Sequence, residues 1–233
     1  QALWQADLAN VRNPRLLQAL LARLQQFSNF TLREQAPVQA LLQRQGRVVG
    51  VQLAAEVLQA DAVVLATGAW SGDLLASLGW LLPVEPVKGP MLLYRAEPGW
   101  LTSMVLNAGR YAIPRRDGHI LIGSTLEYAG YDKTSTEEAA HSLRESAAAL
   151  LPALVGQQPV KQWAGLRPGS PDGVPVIGEL PALPGLWLNT GHFRNGLVLA
   201  PAACRLLVDL MLHRPAVIDP APYAPAARLK TLR

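Results

Sequence analysis

Apolar residues recur every three or four positions in several stretches of the chain, and this spacing is typical of amphipathic helices. The clearest case follows Asn13-Pro14, where Asn13 suits the N-cap and Pro14 suits the first helical turn. Ser71 and Thr136 have side chains that suit the caps of two further helices. The predicted helices cover residues 13–24, 71–78, 136–151 and 196–212.

Shorter apolar runs and two-residue alternation predict strands. Residues 61–66 form an apolar run of the kind that is buried on both faces of a sheet. The four strands in the middle of the chain are predicted to be antiparallel, with a hairpin turn at Asp117-Gly118. Residues 165–178, rich in Gly and Pro, are predicted to form a loop, and residues 215–225 an irregular tail. The predicted strands cover residues 38–43, 48–53, 61–66, 91–95, 104–106, 111–114, 120–123 and 186–189.

The order of these elements predicts an α/β fold with mixed α+β character. Residues 1–83 and 163–233 have the strands and helices of a Rossmann-like, doubly wound domain that binds a cofactor. Residues 84–162 are predicted to form an antiparallel sheet inserted into that domain.

Composition narrows the class of protein. The chain has 233 residues, half of them hydrophobic, but no apolar run of about 20 residues, so we predict a cytoplasmic protein with no membrane partner. Cys204 is the single cysteine, which excludes an internal disulfide, and the four histidines lack ligand spacing, so no metal site is predicted. The net charge is +4, yet the arginines are scattered without interleaved aromatic residues, which disfavours a nucleic-acid partner.

Candidate chemistry begins at the turn from Asn189 to Gly196, which joins a predicted strand to a predicted helix. Unpaired backbone N–H groups at a helix start, together with the helix dipole, favour a partly negative oxygen such as one on a flavin ring. An ordinary Gly-rich connection explains the spacing equally well. A second turn, Thr67-Gly68-Ala69-Trp70, follows the run 61–66, at the strand end where open α/β sheets bind ligands, although the motif alone is weak.

Two further residues suit recognition of a carboxylate. Arg167 lies between Gly165 and Gly169, and its planar fork matches a carboxylate in two hydrogen bonds. Tyr111, on a predicted strand, carries a hydroxyl that suits a further hydrogen bond. Taken singly, a surface arginine on a Pro-Gly turn and a core tyrosine remain the alternatives.

Together and in this order, six motifs resemble the D-amino-acid-oxidase family of flavoproteins over residues 10–228. The resemblance implies oxidation of a small amino acid or amine, such as glycine, to an imine that water hydrolyses to the oxo acid and ammonia. It implies FAD as cofactor, molecular oxygen as the oxidant that yields hydrogen peroxide, and, for the most similar bacterial members, a link to thiamine biosynthesis. The motifs are ATGAWS at 66–71, PVKG at 86–89, RYAIPR at 110–115, LIGST at 121–125, AGLRPGSPDGVPVIG at 164–178 and GHFRNGLVLAP at 191–201.

The resemblance assigns roles by position in these motifs. Arg167 matches the arginine that binds the substrate carboxylate, Tyr111 matches the tyrosine that assists it, and Leu126 lies beside the small substrate pocket. No residue is expected to act as an acid or base, because hydride passes to the flavin and orientation does the work. Arg194 matches an arginine near both flavin and substrate. The implied cofactor contacts are Val38, Thr67, Gly68, Trp70, His192, Phe193, Arg194, Asn195, Gly196, Leu197 and Val198.

The chain departs from the family pattern in two ways. No GxGxxG phosphate loop follows a strand, so we expect an N-terminally truncated chain that lacks the βαβ phosphate-binding unit. No cysteine lies near Arg167, and Cys204 is expected to be a small buried residue, so we expect FAD to be bound non-covalently.

Several alternatives stay open at this point. An oxidase or dehydrogenase of this kind acts on glycine, sarcosine or a D-amino acid, and the sequence leaves the choice among them open. Whether the protein forms a homo-oligomer is also open. Related flavin domains act on a carboxymethylaminomethyl uridine in tRNA, and the basic pI of about 9.5 gives that function some weight. A third alternative is that the chain without its phosphate loop is catalytically inactive.

Overall fold

The computed structural model describes residues 3–231 and divides into two compact units. Unit 1 comprises residues up to 35 together with 90–125 and 135–163, and unit 2 comprises 36–89, 126–134 and the remainder from 164. The helices are α1 Asn13–Leu24, α2 Ser71–Ala76, α3 Glu137–Leu150, α4 Gly196–Met211 and α5 Pro225–Arg228. The strands are β1 Ala40–Arg44, β2 Arg47–Gln52, β3 Val57–Gln59, β4 Val63–Leu65, β5 Trp80–Leu81, β6 Glu85–Arg95, β7 Val105–Asn107, β8 Arg110–Pro114, β9 His119–Gly123, β10 Lys161–Gly169, β11 Val176–Glu179, β12 Leu186–Thr190 and β13 Lys230–Thr231.

The mixed α/β class and the antiparallel middle of the chain are confirmed. One five-stranded sheet has the order β10-β6-β9-β8-β7, and the unit boundary crosses β6 between Gly89 and Pro90. The predicted division into domains 1–83, 84–162 and 163–233 separates the parts of the chain that bind FAD from the part that binds substrate, and it stays a prediction. Residues 1, 2, 232 and 233 of those ranges lie outside the described residues.

Unit 1 is built on the antiparallel strands β8 and β9 with α3 packed on them. Its core contains fully buried Leu92, Ile122 and Leu143, which lie on a strand, its neighbour and the helix. The predicted cap of α3 is confirmed, because the Thr136 hydroxyl accepts a hydrogen bond from the Ala139 N–H at 3.2 Å.

The other two predicted caps are wrong. Arg12, rather than Asn13, is the N-cap of α1, and no side chain caps that end of the helix. None of the leucines on α1 is buried, so its apolar stripe does not face the core of unit 1 among the described residues. Ser71 is the first residue of α2 rather than its cap, since its hydroxyl is used in other bonds described below.

Unit 2 holds a sheet of order β11-β12-β4, in which β12 and β4 are parallel and Leu188 pairs with Leu65. Its core includes Leu65, Leu75, Leu186 and Leu188. The prediction that residues 61–66 are buried on both faces is wrong. Val64 is 39% exposed, and β4 is an edge strand of this sheet in the described part of the chain.

Two further local predictions are corrected. The first part of the predicted loop 165–178 is strand β10, because glycines at 165 and 169 do not prevent pairing with β6. Cys204, expected to be buried, is exposed, since the buried face of α4 is formed by Ala203, Leu206 and Leu207 instead.

Candidate active site

Two turns meet at one edge of the parallel pair β4 and β12 in unit 2. The Ser71 hydroxyl lies 2.8 Å from the Thr190 hydroxyl and donates to the Gly68 carbonyl at 2.9 Å. The Thr67 hydroxyl lies 3.0 Å from that of Ser71. Because parallel strands end at the same edge, this network joins the turn after β4 to the turn after β12, where ligands bind in open α/β sheets.

The turn after β12 is tightly constrained. Gly191 has φ 78°, and Phe193, a residue with a Cβ, has φ 47°, a left-handed conformation that is costly outside glycine. α4 starts immediately afterwards at Gly196, and its N-cap Asn195 provides no side-chain hydrogen bond. The positive end of α4 therefore carries backbone donors that no side chain caps.

The loop that follows Arg167 is bonded to this same turn. The Phe193 N–H donates to the Pro168 carbonyl at 3.0 Å, and the Ser170 hydroxyl donates to the Gly191 carbonyl at 2.6 Å. These two bonds hold the GLRPG and GHFRNG segments together, as expected if both serve one site.

Arg167 is half-buried on β10 and lies against Gly89. A Cβ at Gly89 would lie 2.1 Å from Arg167 Nη1, so only glycine leaves room for the guanidinium there. The absence of a side chain at Gly89 thus leaves room for the Arg167 guanidinium at this position.

A cleft of about 940 Å³ opens in unit 2 beside these segments. Its wall includes Phe193, Arg194 and Asn195 from the turn and Gly169 to Gly173 from the loop after Arg167. Tyr128 contributes from the segment 126–134. The structure therefore brings Arg194 to one cavity with Gly169, the last residue of GLRPG, and with the loop that follows it, whereas Arg167 does not line the cavity.

Several residues predicted to contact the cofactor, and Leu126, predicted to lie beside the substrate, are outside the cleft wall. Val38 is 37% exposed, just before β1, and Leu197 and Val198 are exposed on the first turn of α4. Leu126 is 44% exposed and precedes Glu127, whose backbone forms a two-bond bridge with that of Lys88.

His192 is a predicted contact with an unusual environment. Its Nε2 atom is buried and has no hydrogen-bond partner among residues 3–231. Burial lowers the pKa of His192 below its usual 6.5. The side chain therefore favours the neutral form and keeps one ring nitrogen available to a ligand.

Trp70 is 44% exposed and stacks on Tyr131 with ring centroids 5.9 Å apart. The Tyr131 hydroxyl donates to Asp73 at 3.0 Å and to the Ala69 carbonyl at 3.2 Å, and the Lys133 ammonium lies 5.5 Å from the Trp70 ring centre. These contacts attach the segment 126–134 to the turn after β4.

Lys88 is a second anchor of the segment 126–134, and the sequence analysis assigned it no role. Its side chain is almost fully buried, and Nζ lies 3.1 Å from Glu127 and 3.5 Å from Asp132. The hydrogen bond with Glu127 raises the pKa of Lys88, although burial opposes the rise. Lys88 therefore holds the segment 126–134 in place through its ion pairs, and this segment contributes Tyr128 to the cleft wall.

Tyr111 lies in unit 1, half-buried on β8. Its hydroxyl donates only to the Met91 sulfur, at 3.5 Å, among the contacts described. A thioether is a weak acceptor, so the hydroxyl remains suited to a stronger one such as a carboxylate.

Sequence reasoning missed Ser170 and Thr190 and gave Ser71 a different role. A signal for Thr190 and Ser71 was present: Thr190 directly follows the predicted strand 186–189, and Ser71 ends the turn that follows the predicted strand 61–66. Lys88 had no such signal, because the predicted strand begins at residue 91, and only the observed strand β6 shows a buried lysine that requires a charged partner.

Two kinds of site find no support among residues 3–231. No group of His, Cys, Asp and Glu side chains there suits a metal ion. No helix of that part of the chain has the length and apolar character needed to cross a membrane.

Comparison with known proteins connects these segments to one family. The DAO model, described as FAD dependent oxidoreductase, matches residues 1–210. A glycine oxidase of Pseudomonas aeruginosa is 62% identical over 98% of this chain, which spans 63% of that protein's length. The Bifunctional protein ThiO/ThiG of Nostoc sp. is 36% identical over 91% of the chain and 32% of its own. The crystal structure of glycine oxidase from Geobacillus kaustophilus gives a TM-score of 0.75 at 32% identity, covering 83% of this chain and 52% of that one.

Proposed function

The chain belongs to the DAO family of FAD dependent oxidoreductases, and from this premise we propose that the full-length protein oxidises glycine or a similarly small amino acid. The products are the oxo acid, ammonia and hydrogen peroxide, with molecular oxygen as oxidant. The observation that carries the proposal is the joining of the GLRPG segment at the end of β10, through Pro168 and the following Ser170, to the GHFRNG turn. The 62% identity to a glycine oxidase favours glycine over other small amines.

The residues present fit FAD. The buried Nε2 of His192 lacks a protein partner, and the start of α4 has no side-chain cap. FAD, when bound, accepts the hydride that leaves the amine carbon. His192 through Val198 would hold the ring, with the turn after β4 contributing Thr67, Gly68 and Trp70, while Val38 would hold the adenine through its backbone. Binding is proposed to be non-covalent, because the single cysteine lies on α4, far along the chain from the GLRPG loop.

The chain's own residues would bind and orient the substrate. Arg167 would form two charged hydrogen bonds to the substrate carboxylate, and Tyr111 would donate a third. Arg194 would add positive charge at the rim of the cleft, and Leu126 would limit the size of the side chain that is accepted. Orientation of the α-hydrogen is the main catalytic contribution of these residues.

The domain roles and the biological setting follow the same proposal. Residues 1–83 and 163–233 would form the FAD-binding domain, and residues 84–162 the substrate-binding domain. The name ThiO, carried by the Nostoc relative, supports a place in thiamine biosynthesis. A lone cysteine is consistent with a reducing, cytoplasmic setting.

The test is a steady-state assay of peroxide release by the full-length protein on glycine, sarcosine and D-alanine. The proposal expects the highest kcat/KM for glycine and a visible flavin absorbance in the purified protein. A clear preference for sarcosine or D-alanine would move the assignment to that amine. Absence of peroxide from all three would contradict an oxidase, and salt-sensitive binding of tRNA would then favour the tRNA-modifying alternative.

A further inference from the structure

A second cleft, of about 840 Å³, lies wholly within unit 1 and is lined by four arginines. Arg12 and Arg15 come from the start of α1, and Arg115 and Arg116 from the turn between β8 and β9. No acidic and no aromatic side chain lines this cleft. We call it the arginine cleft.

Specific bonds hold these arginines in place. Arg115 Nη1 donates to the Asn10 side-chain oxygen at 3.1 Å, and Arg12 Nη1 lies 3.2 Å from Asp117 Oδ2. The Arg115 N–H also donates to the His119 carbonyl at 2.7 Å, which closes the hairpin. The segment before α1 is therefore fastened to the hairpin, and both contribute charge to one cavity.

The positive charge in the arginine cleft exceeds the negative charge beside it. Asp117 is shared between Arg12 and His119, whose hydrogen bonds lower the pKa of Asp117 to about 2. No carboxylate of the described residues pairs with Arg115 or Arg116. Burial, and then the charge of Arg12, lower the pKa of Arg115, although the charge of Asp117 opposes this change.

The N-terminal end of α1 adds positive electrostatic potential to the arginine cleft. Arg12 is its N-cap, no side chain caps it, and no acidic residue lies in its first turn. No carboxylate of its own first turn therefore offsets the positive end of this 12-residue helix, which further favours an anion there.

We propose that the arginine cleft binds a small molecule bearing a phosphate group. One arginine suffices for a carboxylate, whereas a phosphate offers three oxygens and close to two negative charges to several guanidinium forks. The side chains of Asn10 and Thr102 line the same cleft and supply neutral hydrogen-bonding groups. The lack of aromatic residues removes the stacking that single-stranded nucleic acid requires, so a phosphorylated metabolite fits better.

The experiment is calorimetric titration of the full-length, FAD-saturated protein at constant ionic strength. The probes are inorganic phosphate, pyrophosphate, ribose 5-phosphate and citrate. Unbound FAD is removed before the titration, because the phosphate groups of free FAD would compete with the probes for the arginine cleft. We expect saturable binding of at least one phosphate probe. Ribose 5-phosphate should bind more tightly than inorganic phosphate if the ligand is an organic phosphate ester, and pyrophosphate should bind most tightly if the ligand is a diphosphate.

The test variant is Arg115→Gln with Arg116→Gln, and the matched control is Arg44→Gln with Arg95→Gln, which removes the same charge from exposed strand positions. The test variant should bind the phosphate probe at least about tenfold more weakly, and the control should bind as the parent does. The amine oxidation of the test variant should stay at the parent value, which separates this proposal from the proposed function. The unfolding midpoint of this variant without ligand should fall by no more than the loss of the exposed Arg115–Asn10 hydrogen bond explains. Equal weakening in both variants, citrate bound as tightly as pyrophosphate, or no saturable binding would overturn the proposal.

Discussion

The positive charge of Lys88 in unit 2 is neutralised by neighbouring carboxylates, whereas most of the positive charge of the arginine cleft in unit 1 is not. Lys88 is buried, and two carboxylates and the Thr134 carbonyl surround its ammonium group within 3.5 Å. The arginine cleft holds four guanidinium groups, and one carboxylate, that of Asp117, pairs with one of them.

The positive charge of Lys88 stabilises the fold, whereas the positive charge of the arginine cleft is available to bind a ligand. A buried ion that the protein neutralises itself stabilises one arrangement of the chain and is costly to disrupt. Partly exposed charges that lack counterions repel one another, and this repulsion is relieved when an anion binds. Substitution of Lys88 should therefore alter stability, whereas substitutions in the arginine cleft should alter the affinity for a ligand.

Arg167→Ala should give the largest effect, and it should appear in kinetics rather than stability. Loss of two charged hydrogen bonds to the substrate carboxylate costs about 2–5 kcal/mol, which is a rise of about 30-fold or more in KM for glycine. Steady-state peroxide release measures this rise. An unchanged KM would remove Arg167 from the substrate site, and a large fall in unfolding midpoint would place it with Lys88 as a structural charge.

Lys88→Met should lower stability by about 2–3 kcal/mol, because Glu127 and Asp132 lose their common partner. That figure is below the usual range for a fully buried pair, since the side chains of these carboxylates are 28% and 45% exposed. Urea unfolding measures it. Adding Glu127→Gln to Lys88→Met should recover part of the loss, and strictly additive effects would show that the two residues do not interact.

Tyr111→Phe should cost about 1 kcal/mol, the value of one hydrogen bond, in kcat/KM for glycine. Stability should barely change, because the present acceptor of the hydroxyl is the weak Met91 sulfur. An unfolding midpoint that fell while kcat/KM stayed constant would instead identify a core tyrosine.

His192 gives the smallest effect, a pH dependence of stability. Its pKa is lowered by burial below the usual 6.5, so below that pH the unfolded chain binds the proton more readily than the folded one. The contribution of His192 to stability is therefore constant above pH 6.5 and falls as the pH drops below it. His192→Gln should flatten the unfolding midpoints between about pH 7.5 and 5, whereas His141→Gln, at an exposed position, should not.

Sequence patterns predicted the elements whose causes are local. The cap at Thr136 and the start of α4 at Gly196 follow from neighbouring residues, and both are found. β10 was missed because glycine and proline ordinarily break strands. In this fold Gly169 is required by a distant residue, since a Cβ there would lie 2.6 Å from Val87 Cγ2.

Prediction of the candidate site from the sequence has the same limit, because contacts between residues that are distant in the chain leave no local pattern. Motif resemblance predicted the turn at 191–196 and Arg167, and geometry added the bonds of Ser170 and Phe193 that join them. The burial of Lys88 between Glu127 and Asp132 depends on residues some 40 positions away, which no local pattern indicates.

The contact between the Ser71 and Thr190 hydroxyls also has a kinetic consequence. The two residues are 119 positions apart, so their meeting closes a long loop of chain. Loop closure of that length is slow and unfavourable until other contacts offset the lost entropy. During synthesis, β4 leaves the ribosome before β12, so the contact between the two hydroxyls forms only after the intervening chain has been made.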